Sequence, residues 1–358
     1  MPDTQTLTAL LLEIAQTPAP TFAEGQRASL IASRWASFGL EPHLDAAGNV
    51  IAKIGQGGRR LVLAAHLDTV FAATTNLEMQ SQGKRIVGPG IGDNAASLAV
   101  LTAYAEQVAT NGAPCELWLV ASTAEEGLGD LRGVKQFLSQ HAKNIDAFIA
   151  VDGYLGLLVN QAVGVLRYRV SFSSEGGHSW GNAGNPSSIQ GLAESIHELY
   201  KIAVPLEPRS TLSVGTVSGG VSVNSIAASA EFLLDLRSLD SRVLQELDKE
   251  AHAAVQRGAK RAKVNYKLEL VGDRPAGTTN NGFLMQAAHQ VLEGLGLQAR
   301  AVASSTDANA AVPHNVPSIG FGVYVGGNAH RLDEWVEPSS LAIGLKALEQ
   351  LVLRLSAR

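Results

Sequence analysis

Leu61-Val-Leu-Ala-Ala-His66-Leu-Asp68 is the stretch that best indicates the fold class, because a short apolar run ends directly at an imidazole and a carboxylate. Two later apolar runs end in the same way: Leu117-Trp-Leu-Val-Ala precedes Glu125, and Phe148-Ile-Ala-Val precedes Asp152. In an open α/β sheet, ligands bind in the crevice beyond the carboxyl ends of the strands. The sequence therefore predicts that these acidic and imidazole side chains meet in one pocket.

Strand and helix patterns alternate over most of the chain. Short apolar runs that suit strands lie at 50–54, 61–65, 115–121 and 147–151, and helical patterns lie at 4–16, 23–38, 95–108, 134–140, 283–294 and 338–355. Such alternation indicates crossover units, in which a helix connects two parallel strands. We therefore predict an α/β fold with a mostly parallel, doubly wound sheet in the catalytic domain.

The pattern changes in the middle of the chain. Strand patterns at 165–172, 211–217, 230–235 and 264–270 and helical patterns at 187–203 and 241–260 follow one another in the order β-α-β-β-α-β. This order is that of a ferredoxin-like split unit, and a chain of 358 residues is longer than one hydrophobic core usually sustains. We therefore predict a discontinuous catalytic domain (1–160 and 275–358) with an inserted α+β lid and dimerisation domain (161–274).

The overall composition argues against several classes of protein. A net charge of −5 and a pI near 6.0 lack the basic excess that is typical of nucleic-acid binding. No apolar run approaches the ~18 residues of a membrane helix, and the first residues lack the basic segment of a secretory signal. Cys115 is the only cysteine, so an intrachain disulfide is excluded and a core position is expected. We expect a cytoplasmic protein that acts on neither nucleic acid nor membrane.

Five side chains have the donor atoms that a site for two zinc ions requires, namely imidazole nitrogens and carboxylate oxygens. They are His66, Asp93, Glu126, Asp152 and His330. Asp93 ends the glycine-rich turn Gly88-Pro-Gly-Ile-Gly-Asp93 and is the candidate to bridge both ions, which gives each ion three protein ligands. The same donors also bind Co²⁺ and Mn²⁺, so these ions are expected substitutes for Zn²⁺.

Two further acidic residues suit supporting roles at such a site. Asp68 follows His66 by two residues, so in extended backbone both side chains face the same way and Asp68 is placed to orient the imidazole. Glu125 is adjacent to Glu126 and points away from it, which leaves Glu125 to move the proton of an attacking water. The residues therefore predict metal-assisted hydrolysis, most naturally of an amide.

In order and spacing, these motifs resemble the dinuclear-zinc aminoacylase/carboxypeptidase family. That family includes acetylornithine deacetylase, succinyl-diaminopimelate desuccinylase, carboxypeptidase G and peptidase T. The motifs are His66-Leu-Asp-Thr-Val, the turn that ends at Asp93-Asn94, Glu125-Glu-Gly, Asp152, Gly176-Gly-His178-Ser and Gly326-Gly-Asn-Ala-His330. The resemblance covers essentially the whole chain. Val271-Gly-Asp-Arg-Pro-Ala-Gly277 and Ser305-Thr-Asp-Ala-Asn309 are most similar to the peptidase T-like branch.

The resemblance implies how the ligands divide between two zinc ions. His66, Asp93 and Asp152 would bind one ion, and Asp93, Glu126 and His330 would bind the other. Glu125 would be the general base and Asp68 the residue that orients His66. The resemblance also implies a cis peptide bond between Asp93 and Asn94.

The resemblance further implies three roles in the inserted domain. His178 would stabilise the oxyanion, in its own subunit or across a homodimer, Arg237 would grip a substrate carboxylate, and Asn224 would contact the substrate. Two of these residues have a structural alternative: His178 suits a turn, and Arg237 suits an ion pair with Asp235 or Asp240. Trp180 stands where the family usually has a small residue, which leaves the substrate open.

The expected activity is that of a zinc metallopeptidase that hydrolyses an amide bond in a small peptide, as an aminopeptidase does. An alternative is an N-acyl amino acid deacylase or a carboxypeptidase that uses the same metal centre. A more distant alternative is a catalytically inactive relative that binds a ligand or partner. The presence of Glu125 argues against this last class, because a protein that only binds has no use for a proton carrier.

Overall fold

The structure, a computed structural model, describes residues 2–356, and the chain divides into two compact units. The first unit consists of Met1–Ala162 and Thr278–Arg358, and the second of Val163–Gly277. Each unit has its own hydrophobic core. Among residues 2–356, no helix is both long enough and apolar enough to cross a membrane.

The first unit contains six of the helices and most of the strands found within residues 2–356. Its helices are α1 (Thr4–Ala15), α2 (Gly25–Ser37), α3 (Ala95–Asn111), α4 (Arg132–His141), α7 (Gly282–Gly294) and α8 (Ser339–Ser356). The strands before the insertion are β1 (His43–Leu44), β2 (Val50–Ile54), β3 (Arg60–His66), β4 (Gln80–Gln82), β5 (Arg85–Val87), β6 (Glu116–Ser122), β7 (Ala147–Val151) and β8 (Leu157–Ala162). Those after it are β15 (Arg300–Ser304), β16 (Ser318–Phe321), β17 (Gly326–Gly327) and β18 (Trp335–Val336).

The main sheet of this unit has the strand order β1-β2-β6-β3-β7-β16-β8-β15. Its centre, β6-β3-β7-β16, is parallel, as is the pair β8–β15, whereas β1–β2, β2–β6 and β16–β8 are antiparallel. The predicted α/β class with a mostly parallel sheet is therefore confirmed. Because the central strands are parallel, their carboxyl ends lie along one edge of the sheet.

Strand β3 shows why the sheet is doubly wound. Leu61, Leu63 and Ala65 pack into a core with helices α1, α2, α3, α7 and α8, whereas Val62 and Ala64 pack into a second core with α4. Successive side chains of a strand point to opposite faces, so a continuous apolar run places one helical layer on each side. Cys115 is buried in the first core, as predicted from its apolar surroundings.

The second unit is an antiparallel sheet covered by two helices. Its elements are β9 (Gly164–Ser173), β10 (Gly177–His178), α5 (Ser188–Leu199), β11 (Ser210–Gly219), β12 (Ser225–Ile226), β13 (Ser229–Ser238), α6 (Ser241–Ala262) and β14 (Asn265–Arg274). The sheet order β11-β13-β9-β14 is that of the predicted ferredoxin-like fold. Side chains from β9, β13, α5 and α6 form the core.

Some strands had no sequence prediction. Strand β15 (Arg300–Ser304) is at the edge of the main sheet and mostly exposed, so it carries no continuous apolar run. Strands β17, β18, β5 and β4 form a small sheet of two- and three-residue strands. Strands this short give no periodic signal in a sequence.

Candidate metal centre

The polar residues predicted at strand ends lie at the carboxyl edge of the main sheet. His66 is the last residue of β3, Asp152 directly follows β7, and Glu125 and Glu126 lie in the loop after β6. Asp93 lies in the turn before α3. The Asp93–Asn94 peptide bond is cis, as the resemblance implied.

Asp93 lies between two histidines. Its Oδ1 is 3.0 Å from Nε2 of His66, and its Oδ2 is 3.2 Å from Nε2 of His330. The same nitrogen of His330 is 3.0 Å from Oε1 of Glu126. Each oxygen of Asp93 therefore faces a different imidazole, which is the arrangement expected of a carboxylate shared by two ions.

The donor atoms divide into overlapping groups of three. In each group, one donor atom per residue lies within 4.8 Å of the others: His66, Asp93 and Asp152 form one group, and Asp93, Glu126 and His330 form another. A third group contains His66, Glu125 and Glu126. Glu126 thus belongs to a group with the central Asp93, whereas Glu125 belongs only to the group that lacks it.

The carboxylate of Asp68 is fully buried and holds the loop after β6. Its Oδ1 accepts the backbone N–H of Glu125 and its Oδ2 that of Glu126, each at 2.9 Å. The hydroxyl of Thr21 also donates to Oδ2 at 2.9 Å. The backbone carbonyl of Asp68 is 3.0 Å from Nδ1 of His66, so Asp68 contacts both the imidazole and the two glutamates.

Two further acceptors complete the support of this loop. The N–H of Ala124 donates to Oε1 of Glu24 at 3.0 Å, and the N–H of Thr123 donates to Oδ1 of Asn49 at 2.9 Å. Side chains therefore accept four consecutive backbone N–H groups, those of residues 123–126. This fixes the backbone of the loop and with it the direction of the Glu125 and Glu126 side chains.

Arg27 is the buried cation beneath this edge of the sheet. Its Nη1 donates to the carbonyl of Leu67 at 2.7 Å, and its Nε and Nη2 donate to the carbonyl of Thr17. Burial lowers the pKa of Arg27 to about 10, and the nearby charge of Asp68 opposes that shift. Arg27 thus remains charged at pH 7 and fixes the backbone between His66 and Asp68.

The carboxylates and histidines lie so close together that they shift one another's pKa values. Burial, and next the charge of Asp93, raises the pKa of Asp152 to about 7. Hydrogen bonds to Asp93 and Glu126 raise the pKa of His330 to about 10. Burial alone would lower the pKa of His66, but hydrogen bonds to Asp68 and Asp93 outweigh it and raise that pKa well above its usual value. The cluster therefore favours added positive charge.

The residues present fit two divalent ions. The donors are imidazole nitrogens and carboxylate oxygens, which suit zinc and related ions. Asp93 offers one oxygen to each group, so one carboxylate can serve both ions.

The three site residues predicted for the inserted domain lie in the second unit. His178 and Asn224 are neighbours: His178 is in β10, which pairs with β12, and the N–H of Ser179 donates to the carbonyl of Asn224 at 3.0 Å. Arg237 donates through Nε and Nη2 to the carboxylate of Asp235 at 2.7 and 3.3 Å. Arg237 therefore makes the ion pair that the sequence offered as its structural alternative.

No sequence motif marks five residues that support this site: Thr21, Glu24, Arg27, Asn49 and Glu334. The first four contact the loops that carry His66, Glu125 and Glu126. None of them is near those loops in sequence. The one available signal was the position of Glu334 four residues after His330.

Comparison with known proteins identifies the family of the chain. The family model for peptidase family M20/M25/M40 matches residues 62–354 of the chain. The chain belongs to this family. It is therefore a hydrolase, and the resemblance inferred from the motifs is confirmed.

Three known proteins illustrate what the chain is similar to. Acetylornithine deacetylase of Edwardsiella ictaluri is 23% identical over 321 residues, which cover 85% of this chain and 82% of the relative. A tripeptidase of Staphylococcus aureus has the same fold, with a TM-score of 0.82, 20% identity and 99% of each chain covered. A dinuclear metal binding peptidase of the M20 family from Bacillus subtilis gives a TM-score of 0.69 at 15% identity, over 99% of this chain and 98% of the other.

Metal binding to this M20 chain should release protons, because hydrogen bonds to carboxylates raise the pKa of both His66 and His330, and each histidine must lose its proton to bind a metal ion. We expect about two protons to leave the histidines and a further fraction to leave Asp152 on saturation with Zn²⁺ at pH 7. Apparent affinity should therefore rise with pH up to about pH 10, the pKa of His330.

Calorimetry in buffers of different ionisation enthalpy measures this proton release. His330→Ala should release about one proton fewer than the parent chain. A binding heat that does not depend on the buffer would contradict the arrangement described.

Proposed function

We propose that this chain is a cytoplasmic, co-catalytic dinuclear zinc peptidase that hydrolyses an amide bond in a small peptide, as an aminopeptidase does. The observation that carries the proposal is the position of Asp93, whose two oxygens face His66 and His330. His66, Asp93 and Asp152 would hold one ion, and Asp93, Glu126 and His330 the other. The similarity of fold to a tripeptidase supports a short peptide as substrate.

Glu125 is proposed as the general base. When bound, two divalent ions would polarise the scissile carbonyl and bring the pKa of a water to about 7. Glu125 is almost fully buried, and its backbone N–H donates to Asp68, so the backbone from which its side chain extends is held in place. It would take a proton from the attacking water and deliver that proton to the departing nitrogen.

His178 is proposed to donate a hydrogen bond to the oxyanion. Its Nδ1 accepts the backbone N–H groups of Trp180 and Gly181, each at 3.2 Å. Because Nδ1 is an acceptor, the proton of the neutral ring is on Nε2. The backbone of residues 180 and 181 therefore selects the tautomer that presents an N–H, and that N–H is the donor an oxyanion requires.

Arg237 and Asn224 are proposed to contact the substrate. The guanidinium of Arg237 binds the Asp235 carboxylate through two nitrogens, and a substrate carboxylate would use the same two-pronged geometry. Asp235 would then hold Arg237 in place before the substrate binds. Asn224 is adjacent to His178, which would place both at the same end of the substrate.

The second candidate is an N-acyl amino acid deacylase or carboxypeptidase. The acetylornithine deacetylase relative favours it, since that relative matches this chain over 321 residues. The proposed metal ligands, Glu125 and His178 would serve either reaction, because both cleave an amide. The candidates differ in whether the pocket accepts a free amine.

A matched substrate panel separates these candidates. Zinc- and manganese-loaded protein is incubated with free-amine tripeptides, dipeptides, N-acetyl amino acids and N-blocked peptides, and products are identified by mass spectrometry. We expect cleavage of the free-amine tripeptides. Cleavage of only the blocked compounds would instead support the deacylase or carboxypeptidase, and a chain that binds no metal and cuts nothing would support the inactive relative.

Glu125→Gln should keep both metal ions and lose turnover. The amide preserves the size of the side chain but cannot take a proton, so kcat should fall by about 10² to 10⁴. Metal content is measured alongside kcat, and the exposed Glu78→Gln serves as the control. Loss of one metal ion in Glu125→Gln would make Glu125 a ligand rather than the base.

A homodimer is proposed through the free edge of β11. This edge strand of the second unit carries no charged residue from Ser210 to Gly219, whereas the opposite edge strand β14 carries charges such as Lys267 and Glu269. Charged residues on an edge strand prevent pairing with another chain, and uncharged edges permit it. Two copies of β11 would therefore pair in an isologous interface.

Val217→Lys tests this interface. Val217 is 61% exposed on β11, and a lysine there would bring two like charges together in the dimer. Light scattering after size exclusion should show a shift towards monomer. Tyr266→Lys on β14 is the control and should leave the dimer intact; a monomeric parent chain would disprove the interface.

A further inference from the structure

Glu334 is a buried carboxylate that the proposed reaction does not use. It is 1% exposed and lies between the short strands β17 and β18, four residues after His330. A buried carboxylate is costly unless hydrogen-bond donors surround it. The partners of Glu334 therefore indicate what its burial accomplishes.

Those partners are backbone N–H groups of the turn that carries Asp93. Oε2 of Glu334 accepts the N–H of Gly90 at 2.9 Å. Oε1 accepts the N–H groups of Gly92 and Asp93 at 3.1 and 2.8 Å. One side chain thus binds three of the four N–H groups between residues 90 and 93.

The backbone of Glu334 and its neighbour also bonds to the segment that leads into the Asp93 turn. The carbonyl of Glu334 accepts the N–H of Gly88 at 2.8 Å, and the next residue, Trp335, pairs with Val87 of β5. At Gly92 a Cβ atom would lie 2.6 Å from Oε1 of Glu334, so glycine is required for the carboxylate to approach this closely. The absence of a side chain at Gly92 therefore lets the Glu334 carboxylate reach the N–H groups of the turn.

The segment from His330 to Glu334 thus contacts Asp93 at two places. Nε2 of His330 is 3.2 Å from the carboxylate of Asp93, and Oε1 of Glu334 accepts the N–H of the same residue. We propose that Glu334 is a positioning residue that fixes the direction of the Asp93 carboxylate relative to His330. This inference rests on the proposed role of Asp93 as the ligand shared by two ions.

Glu334→Gln is the principal test. The amide has one acceptor oxygen, so its NH₂ group would face a backbone N–H of Gly90 or of Gly92 and Asp93. The turn should then lose its fixed direction, and affinity for Zn²⁺ should fall about 10- to 100-fold, as is typical when a residue supporting a metal ligand is changed. The matched control is Glu337→Gln, because Glu337 is on the same segment but accepts none of these N–H groups in the described contacts.

The measurements are Zn²⁺ affinity by chelator competition and the visible absorption spectrum of the Co²⁺-loaded protein. The spectrum reports ligand geometry, which a residue needed only for folding would not change. We expect a changed Co²⁺ spectrum in Glu334→Gln and an unchanged one in Glu337→Gln. A folded Glu334→Gln with parental affinity and spectrum would overturn the proposal.

Glu334→Asp serves as the second variant. It keeps both acceptor oxygens but is one methylene shorter, so it should recover part of the lost affinity. If Glu334→Gln fails to fold and Glu334→Asp binds Zn²⁺ as the parent chain does, Glu334 supports folding only and the proposal is wrong. A parent chain that binds no metal would instead remove the proposed centre, and the inference with it, before any variant is compared.

Discussion

Buried carboxylates that accept backbone N–H groups are the interaction on which the rest of this site depends. Asp68, Glu24 and Glu334 are each almost fully excluded from solvent, and each accepts N–H groups from a loop that carries candidate ligands. A carboxyl group in such a place is stable only when hydrogen-bond partners surround it. The same hydrogen bonds also hold the N–H groups in place, so the carboxylate fixes the backbone of the loop that it contacts.

This arrangement separates the residues that would bind metal from those that hold the backbone. Glu125 and Glu126 lie in a loop outside regular strands, yet residues 123–126 have their N–H groups bound by side chains. Irregular loops are usually the mobile part of an α/β fold. Here side chains bind the backbone N–H groups of the loop, much as a neighbouring strand does in a sheet, and the loop places Glu125 and Glu126 at the site.

The sequence predicted the candidate metal ligands better than the residues that hold their loops in place. His66 and Asp152 follow apolar runs, and a parallel sheet brings strand ends together whatever the details of packing, so adjacency could be inferred. The partners Glu24 and Glu334 contact residues about 100 and 240 positions away, and no local pattern encodes such a contact. The pairing of Arg237 with Asp235 was open for a different reason: residues two apart on a strand share a face, but the side-chain rotamer decides whether they meet.

The fold class followed from the alternation of helical and strand patterns, yet the sheet is more mixed than that alternation alone requires. Strand β2 runs antiparallel to β6, and β8 runs antiparallel to β16. An apolar run does not encode the direction of a neighbouring strand. The small sheet that contains β17 and β18 was missed for another reason, since strands of two residues carry no periodicity.

Because Glu334 anchors Asp93 from the far end of the chain, the site can be completed only late in synthesis. His66, Asp93, Glu126 and Asp152 all precede the inserted unit Val163–Gly277, whereas His330 and Glu334 follow it. While the chain is still emerging from a ribosome, the early residues are present without the carboxylate that directs Asp93. Completion of the site is therefore a late event in synthesis, because His330 and Glu334 are made only after the whole inserted unit.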